Sequence, residues 1–174
     1  RARIMNIEAQ AAVAYWNAVW SLLPEDLEVQ RRVHQGATDP VNCMLNYGYG
    51  VLNSHCWSAV LLAGLDPFGG FLHVDRPGRP SLVLDLQEVF RQPVVDRTVL
   101  GMLGLGIRIE FDEPGRIARD SRRRLAAAVI ERLTTPTDTA GGRRTLSTII
   151  VDQARALAVA VRGEKPFRGF RMGW

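Results

Sequence analysis

The sequence predicts an all-α domain of about six helices with at most one short β-hairpin. Two observations lead to this fold class. Apolar residues recur at helical spacing along most of the 174-residue chain. The alternation typical of a strand occurs only at Ile107, Ile109 and Phe111, and the Pro114-Gly115 pair that follows is a turn signal. A chain of this length can form one domain with a sizeable buried core.

Capping residues and helix breakers divide the chain. The first helix ends at Pro24, and we expect its apolar stripe to face the core. The second is capped by Thr38 or Asp39 and ends at Gly64. The predicted core stripe of the first helix is Ala11, Ala12, Tyr15, Val19, Leu22 and Leu23. The predicted helices span Ile4–Leu23, Pro40–Ala63, Ser81–Phe90, Pro93–Leu103, Asp120–Thr134 and Arg143–Arg162, with a loop over Thr135–Gly142.

The charge balance is mildly basic and dominated by arginine. The net charge is +4, and Lys165 is the only lysine. Arginine suits bidentate phosphate contacts, although a GC-rich genome accounts for the bias equally well. No apolar run is long enough to span a membrane, and the start does not resemble a signal peptide.

Cys43 and Cys56 are the only cysteines, and both fall on the second predicted helix. Their spacing along a helix corresponds to roughly 20 Å, which is too far for a disulfide. We therefore expect a reducing, cytoplasmic setting. Buried thiols among apolar neighbours are poor nucleophiles, and the chain has no Gly-x-Ser-x-Gly elbow.

Three polar residues lie in apolar or turn-rich settings: Glu8, His73 and Asp85. Asp85 is enclosed in a Leu-Val-Leu-Asp-Leu run, so we expect it to be partly buried. Its charge then requires a metal ion, a hydrogen bond or an arginine as partner. Two carboxylates and one imidazole suit Mn²⁺ better than Mg²⁺. On the residues alone, the stronger interpretation is three ordinary polar side chains.

The arginines group along the chain in a way that suits a DNA backbone, although solvated helix faces explain them as well. The aromatic tail residues Phe167, Phe170 and Trp174 can stack on bases or pack against the domain. The arginines expected at such an interface are Arg76, Arg79, Arg91, Arg122, Arg123, Arg143 and Arg144.

Three separated motifs resemble a known family. They are DPVNCMLNYGYGVL (Asp39–Leu52), GLDPFGGFLHVDRPGRPSLVLDLQEVFR (Gly64–Arg91) and a start in which Glu8 precedes the Tyr15-Trp16 pair. The last predicted helix, with Gln153-Ala-Arg155, adds to the likeness. Together they closely resemble the CRISPR-associated integrase family, Cas1. The resemblance covers nearly the whole chain in order.

The resemblance implies a helical, C-terminal catalytic domain over residues 1–174, without the family's β-rich N-terminal domain. It implies a Mg²⁺ or Mn²⁺ ion bound by Glu8, His73 and Asp85, with Glu88 and Arg91 in support. The implied reaction inserts short protospacer DNA into the CRISPR repeat array through attack of a 3′-hydroxyl on a phosphodiester.

The implied partners are double-stranded DNA, a second copy of the chain and Cas2. A fused or associated Cas4 nuclease or reverse transcriptase is a further expectation. Asn53, His55 and Trp57 depart from a more acidic family pattern. The alternatives are a non-catalytic DNA-binding or assembly module of the same fold, and a purely structural helical domain.

Overall fold

The computed structural model describes residues 2–27, 29–73 and 76–172. Six α-helices dominate these residues, so the predicted fold class is confirmed. They are α1 (Ala2–Ser21), α2 (Pro40–Leu62), α3 (Ser81–Phe90), α4 (Arg97–Gly104), α5 (Arg119–Thr134) and α6 (Leu146–Val161). Two antiparallel hairpins accompany them: β1 (Phe111–Glu113) with β2 (Arg116–Ile117), and β3 (Thr137–Thr139) with β4 (Gly142–Arg144).

The second hairpin differs from the sequence prediction. The prediction has a loop there and begins the last helix at Arg143, whereas Arg143 lies opposite Asp138 in the β3–β4 pair. Gly142 adopts the positive φ of 93° that closes this tight turn. α6 begins only after Thr145, whose side chain accepts a hydrogen bond from the backbone N–H of Thr148.

α2 is the central helix and packs against α3, α5 and α6. Asp39 caps it by accepting a hydrogen bond from the Asn42 N–H at 2.8 Å, and Pro40 occupies its first turn. Gly64 follows it with φ of 71°. The predicted stripe is buried at Leu45, Tyr49, Leu52, Cys56 and Val60.

The two glycines inside α2 have different surroundings. A Cβ at Gly48 would lie 2.6 Å from Val95 Cγ1, whereas a Cβ at Gly50 would meet nothing within 4 Å. Close packing therefore requires glycine only at Gly48. Cys56 is fully buried and unpaired, and burial raises the pKa of its thiol to about 12. The predictions of no disulfide and of inert packing at Cys56 agree with this.

α3 and α4 are joined by a π-helical segment, Arg91–Asp96, rather than separated by a new helix start at Pro93. The N–H of Arg97 donates to the carbonyl of Gln92, a spacing one residue wider than in an α-helix. Pro93 has no N–H to donate, so an ordinary α-helical ladder cannot continue through it. The wider turn places Asp96 in the interior.

The predicted core stripe of α1 is largely wrong. Only Val19 is buried, and Leu22 is 78% exposed. The helix lies on the surface and contacts the domain mainly through its aromatic residues. The half-buried side chains on that side are Tyr15, Trp16, Trp20 and Leu23, whereas Ala11 and Ala12 are exposed.

The aromatic tail packs in part against the domain. The ring of Phe170 stacks on that of Phe90 at 5.6 Å, and its N–H donates to Gln153 Oε1 at 2.8 Å. Phe167 is half-exposed, and Trp174 lies outside the described residues. Among the helices described, none has the length and apolarity to cross a membrane.

Candidate metal site and nucleic-acid interface

The carboxylate of Asp85 is enclosed by the backbone of the preceding loop. Its Oδ2 accepts hydrogen bonds from the N–H groups of Phe71 at 2.6 Å and Leu72 at 2.9 Å. Its Oδ1 accepts from the N–H of His73 at 3.0 Å and from its Nδ1 at 2.6 Å. Only 10% of the Asp85 side chain is exposed, so the predicted partial burial is confirmed.

These hydrogen bonds are the partner that the buried charge requires. Burial by itself would raise the pKa of Asp85, but the hydrogen bonds from Leu72, His73 and Phe71 outweigh it, so the pKa is lowered. Because a carboxylate only accepts, Nδ1 of His73 carries the proton. In the tautomer with this one ring proton, Nε2 is free to donate its lone pair, the arrangement found in carboxylate–histidine–metal sites.

Gly70 allows the loop to reach Asp85. A Cβ at this position would clash with the Cβ of Ser81 and lie 2.9 Å from the carbonyl oxygen of His73. Ser81 starts α3, the helix that carries Asp85. The absence of a side chain at Gly70 therefore lets the loop pack closely against the start of the helix.

A separate cavity of about 440 Å³ lies between α1, α2 and the end of α3. Glu8, from α1, and Glu88, from α3, both line it. Arg91 lines it as well, donating to Glu88 Oε1 at 2.7 Å and lying 4.2 Å from the centre of the Tyr49 ring. Two carboxylates and a fixed guanidinium therefore face one cavity.

A buried carboxylate forms one wall of this cavity. Asp96 is 2% exposed and accepts hydrogen bonds from the hydroxyl groups of Tyr15 and Tyr49. Burial raises the pKa of Asp96, although both hydroxyl groups and the charges of Arg91 and Arg32 oppose that rise.

His34 lies at the same cavity. Burial lowers the pKa of His34, and the charges of Arg32 and Arg91 lower it further, which favours the neutral imidazole.

The three predicted ligands are only partly brought together. His73 and Asp85 form a pair, whereas Glu8 faces the cavity that Glu88 shares. Asp85 lines a different, apolar cavity of about 410 Å³ with Phe71 and Leu72. Within residues 2–27, 29–73 and 76–172, no three His, Cys, Asp or Glu side chains are grouped closely enough to hold a metal ion.

A family model described as CRISPR associated protein Cas1 matches residues 1–129. The chain belongs to the Cas1 family. A curated relative from Archaeoglobus fulgidus, CRISPR-associated endonuclease Cas1 1, is 42% identical over 100% of this chain and 54% of its own length. The chain spans about half the length of the curated Cas1 relatives that it matches.

Solved structures with the same fold include a casposase bound to an integration product. It has a TM-score of 0.84 and 28% identity, covering 98% of this chain and 53% of the casposase chain. A partial Cas6-RT-Cas1–Cas2 complex has a TM-score of 0.79 and 25% identity, covering 95% of this chain and 52% of that chain. The Cas1 fold therefore extends over nearly all of the present chain.

The arginines predicted to bind DNA differ in availability. Arg91 is half-buried and engaged by Glu88, and Arg144 pairs with Asp152. Arg123 pairs loosely with Asp120 at 3.7 Å, with both side chains mostly exposed. The remaining predicted arginines are at least partly exposed: Arg76, Arg79, Arg122 and Arg143. Of these, Arg122 lines a polar cavity with Arg116.

Two further carboxylates of this Cas1 fold, Glu88 and Asp96, line the same cavity as Glu8. The sequence predicts only a supporting role for Glu88. Glu88 follows Asp85 by three residues, and that spacing makes the two side chains neighbours on one helix. This spacing is the sequence feature that indicates a role for Glu88. Asp96 was missed because its burial depends on the π-helical turn, which no sequence pattern indicated.

Proposed function

We propose that this chain is the helical catalytic part of a metal-dependent DNA integrase and endonuclease of CRISPR adaptation. The observation that carries the proposal is the His73–Asp85 pair, in which a saturated carboxylate holds the imidazole by Nδ1. Such a pair prepares Nε2 to bind a divalent cation. Family membership supports the proposal, as do relatives named CRISPR-associated endonuclease and the casposase bound to an integration product.

The ligands we propose are Glu8, His73 and Glu88, with Asp85 orienting His73. The described residues do not group these three closely enough to hold an ion, so binding would have to draw them together. Asp85 already accepts four hydrogen bonds, about as many as a carboxylate has lone-pair sites. Glu88 is 33% exposed, and its carboxylate faces the same cavity as Glu8. The set derived from the resemblance, Glu8, His73 and Asp85, is the alternative that the experiment below tests.

Two carboxylates and an imidazole have the donor chemistry for Mn²⁺ and, less well, for Mg²⁺. When bound, such an ion would polarise a phosphoryl oxygen and stabilise the charge that develops on phosphorus as a 3′-hydroxyl attacks. Arg91 would attract the phosphate, since Glu88 and the Tyr49 ring hold its guanidinium at the cavity.

The partners in this proposal are double-stranded DNA from protospacer and repeat, a second copy of the chain, and Cas2. The Cas6-RT-Cas1–Cas2 neighbour supports a Cas2 partner and a fused reverse transcriptase. A Cas4 partner and a cytoplasmic location stay predictions. The exposed arginines supply a salt-sensitive contact to the phosphate backbone.

The first experiment is strand transfer. The protein, mixed with Cas2, is given a short duplex and a supercoiled plasmid carrying the repeat, in Mn²⁺ or with a chelator. We expect joined products only with metal, and none from Glu8→Ala or His73→Ala. Tyr47→Phe, on α2 and away from the cavity, is the matched control. DNA binding without joining in any metal would instead favour the assembly-module alternative.

Mn²⁺ binding in the absence of DNA then separates the two ligand sets. We expect Glu88→Gln to remove measurable Mn²⁺ binding. Asp85→Asn should weaken it by about 10- to 100-fold, as is usual when the hydrogen-bond partner of a ligand is changed. Loss of binding in Asp85→Asn together with wild-type affinity in Glu88→Gln would contradict the proposed set and restore the alternative.

A further inference from the structure

α1 carries Glu8 but is held to the domain by few contacts. Val19 is its one buried side chain within the described residues, and Ile4, Ile7 and Val13 are all more than half exposed. Apolar packing of this kind is non-directional and leaves a helix free to slide or rotate. A directional contact is therefore needed to fix where Glu8 points.

Tyr15 supplies that contact. Its hydroxyl donates to Asp96 Oδ2 at 2.7 Å, across 81 residues of sequence. Among the residues that the structure describes, this is the only side-chain hydrogen bond from α1 to another element. Tyr15 lies seven residues after Glu8, close to two helical turns, so the two residues share a face.

Asp96 is itself rigidly held. It is 2% exposed, and its other oxygen accepts a hydrogen bond from the hydroxyl of Tyr49, a buried residue of the central helix. It ends the π-helical segment that continues directly from α3, the helix of Glu88. The carboxylate thus links α1, α2 and the end of α3 at one point.

Trp16 adds a contact at the same junction but does not fix the register of α1. Its ring lies 5.7 Å from the guanidinium carbon of Arg32, which donates to Asn42 Oδ1 and Asn46 Oδ1. A stack of this kind tolerates sliding, whereas a hydroxyl–carboxylate bond does not.

We propose that Asp96 is a positioning residue that acts through Tyr15 to set the register of α1, so that Glu8 faces Glu88 across the cavity. The inference rests on the proposed function, because it assigns Glu8 and Glu88 to one metal site. π-Helical turns are frequent at functional sites, and here the turn supplies the anchoring carboxylate.

The test compares Tyr15→Phe, which removes only the hydroxyl, with Tyr47→Phe and Glu8→Ala. Tyr47 has no hydroxyl bond among the described residues and does not line this cavity. The readouts are Mn²⁺ affinity without DNA and hydrogen exchange of the α1 amides without metal. We expect Tyr15→Phe to weaken Mn²⁺ binding about 10-fold and to speed exchange in α1, by analogy with other changes behind a metal ligand.

In strand transfer, Tyr15→Phe should need more Mn²⁺ for half-maximal rate while its rate at saturating Mn²⁺ stays near that of the wild type. A purely stabilising hydroxyl would shift the unfolding midpoint without this change in metal requirement. Equal Mn²⁺ affinity in Tyr15→Phe and Tyr47→Phe, with Glu8→Ala defective, overturns the positioning role alone. Wild-type Mn²⁺ affinity in Glu8→Ala overturns the ligand assignment and the inference with it.

Discussion

Replacing Asp85 by asparagine should loosen the loop that encloses it. Asparagine has one oxygen that accepts two hydrogen bonds, and its amide nitrogen would face N–H groups instead of accepting from them. Two of the four hydrogen bonds at this carboxylate are then lost. Two hydrogen bonds to a charged group contribute about 3–6 kcal/mol together, and water replaces part of this at the exposed Phe71. We therefore expect the free energy of unfolding to fall by about 2–4 kcal/mol.

Urea unfolding followed by circular dichroism measures this loss directly. For a domain of this size, it corresponds to a fall in Tm of about 4–16 °C. Hydrogen exchange should be faster at the amides of Phe71, Leu72 and His73, which donate to the carboxylate. The faster exchange should be confined to this loop if the effect is local.

Asp26→Asn is the matched control, because it removes an exposed ion pair with Arg108. Exposed pairs of this kind contribute at most about 1 kcal/mol. If Asp85→Asn cost no more than Asp26→Asn and left loop exchange unchanged, the carboxylate would not hold the loop. The orientation of His73 would then need another explanation.

Three further predictions concern stability and reactivity. The pKa of Asp85 is lowered in the folded state, so the ionised carboxylate stabilises the fold fully above its unfolded pKa of about 4, and this stabilisation is lost as pH falls through the folded pKa. The difference in unfolding free energy between wild type and Asp85→Asn should therefore narrow in acid. A difference that stays constant with pH would contradict this. Gly50→Ala should stabilise α2 by about 1 kcal/mol. Gly48→Ala makes the same gain but adds a clash with Val95 that costs about 1–3 kcal/mol, so this variant should be less stable than Gly50→Ala and no more stable than the wild type. Chemical denaturation of both variants tests this order. Cys56, with a thiol pKa of about 12, should resist a thiol-specific reagent at pH 8 until the protein unfolds, and labelling of the native protein at that position would refute its burial.

The helical architecture could be predicted because helix signals are local. Asp39, Pro40 and Gly64 mark the ends of α2 through caps and breakers that depend on neighbouring residues only. The partial burial of Asp85 was likewise evident from its apolar neighbours. The Cas1 resemblance was available at the same stage, since it depends on motifs in sequence order.

Periodicity shows which residues share a face of a helix, but not whether that face is covered. The stripe on α1 is apolar, yet most of it is exposed, because the helix packs through its aromatic residues instead. The sequence predicts a loop where the β3–β4 hairpin lies, because three-residue strands carry little alternation.

Local sequence signals predict the helices, and the motifs indicate the family and the residue types able to bind a metal ion. The hydrogen bond from His73 to Asp85, the cavity that Glu8 and Glu88 share, and the link from α1 to Asp96 appear only in the folded chain. These contacts join residues that are not neighbours in sequence. Their geometry depends on how helices pack and on one π-helical turn, which local preference does not specify.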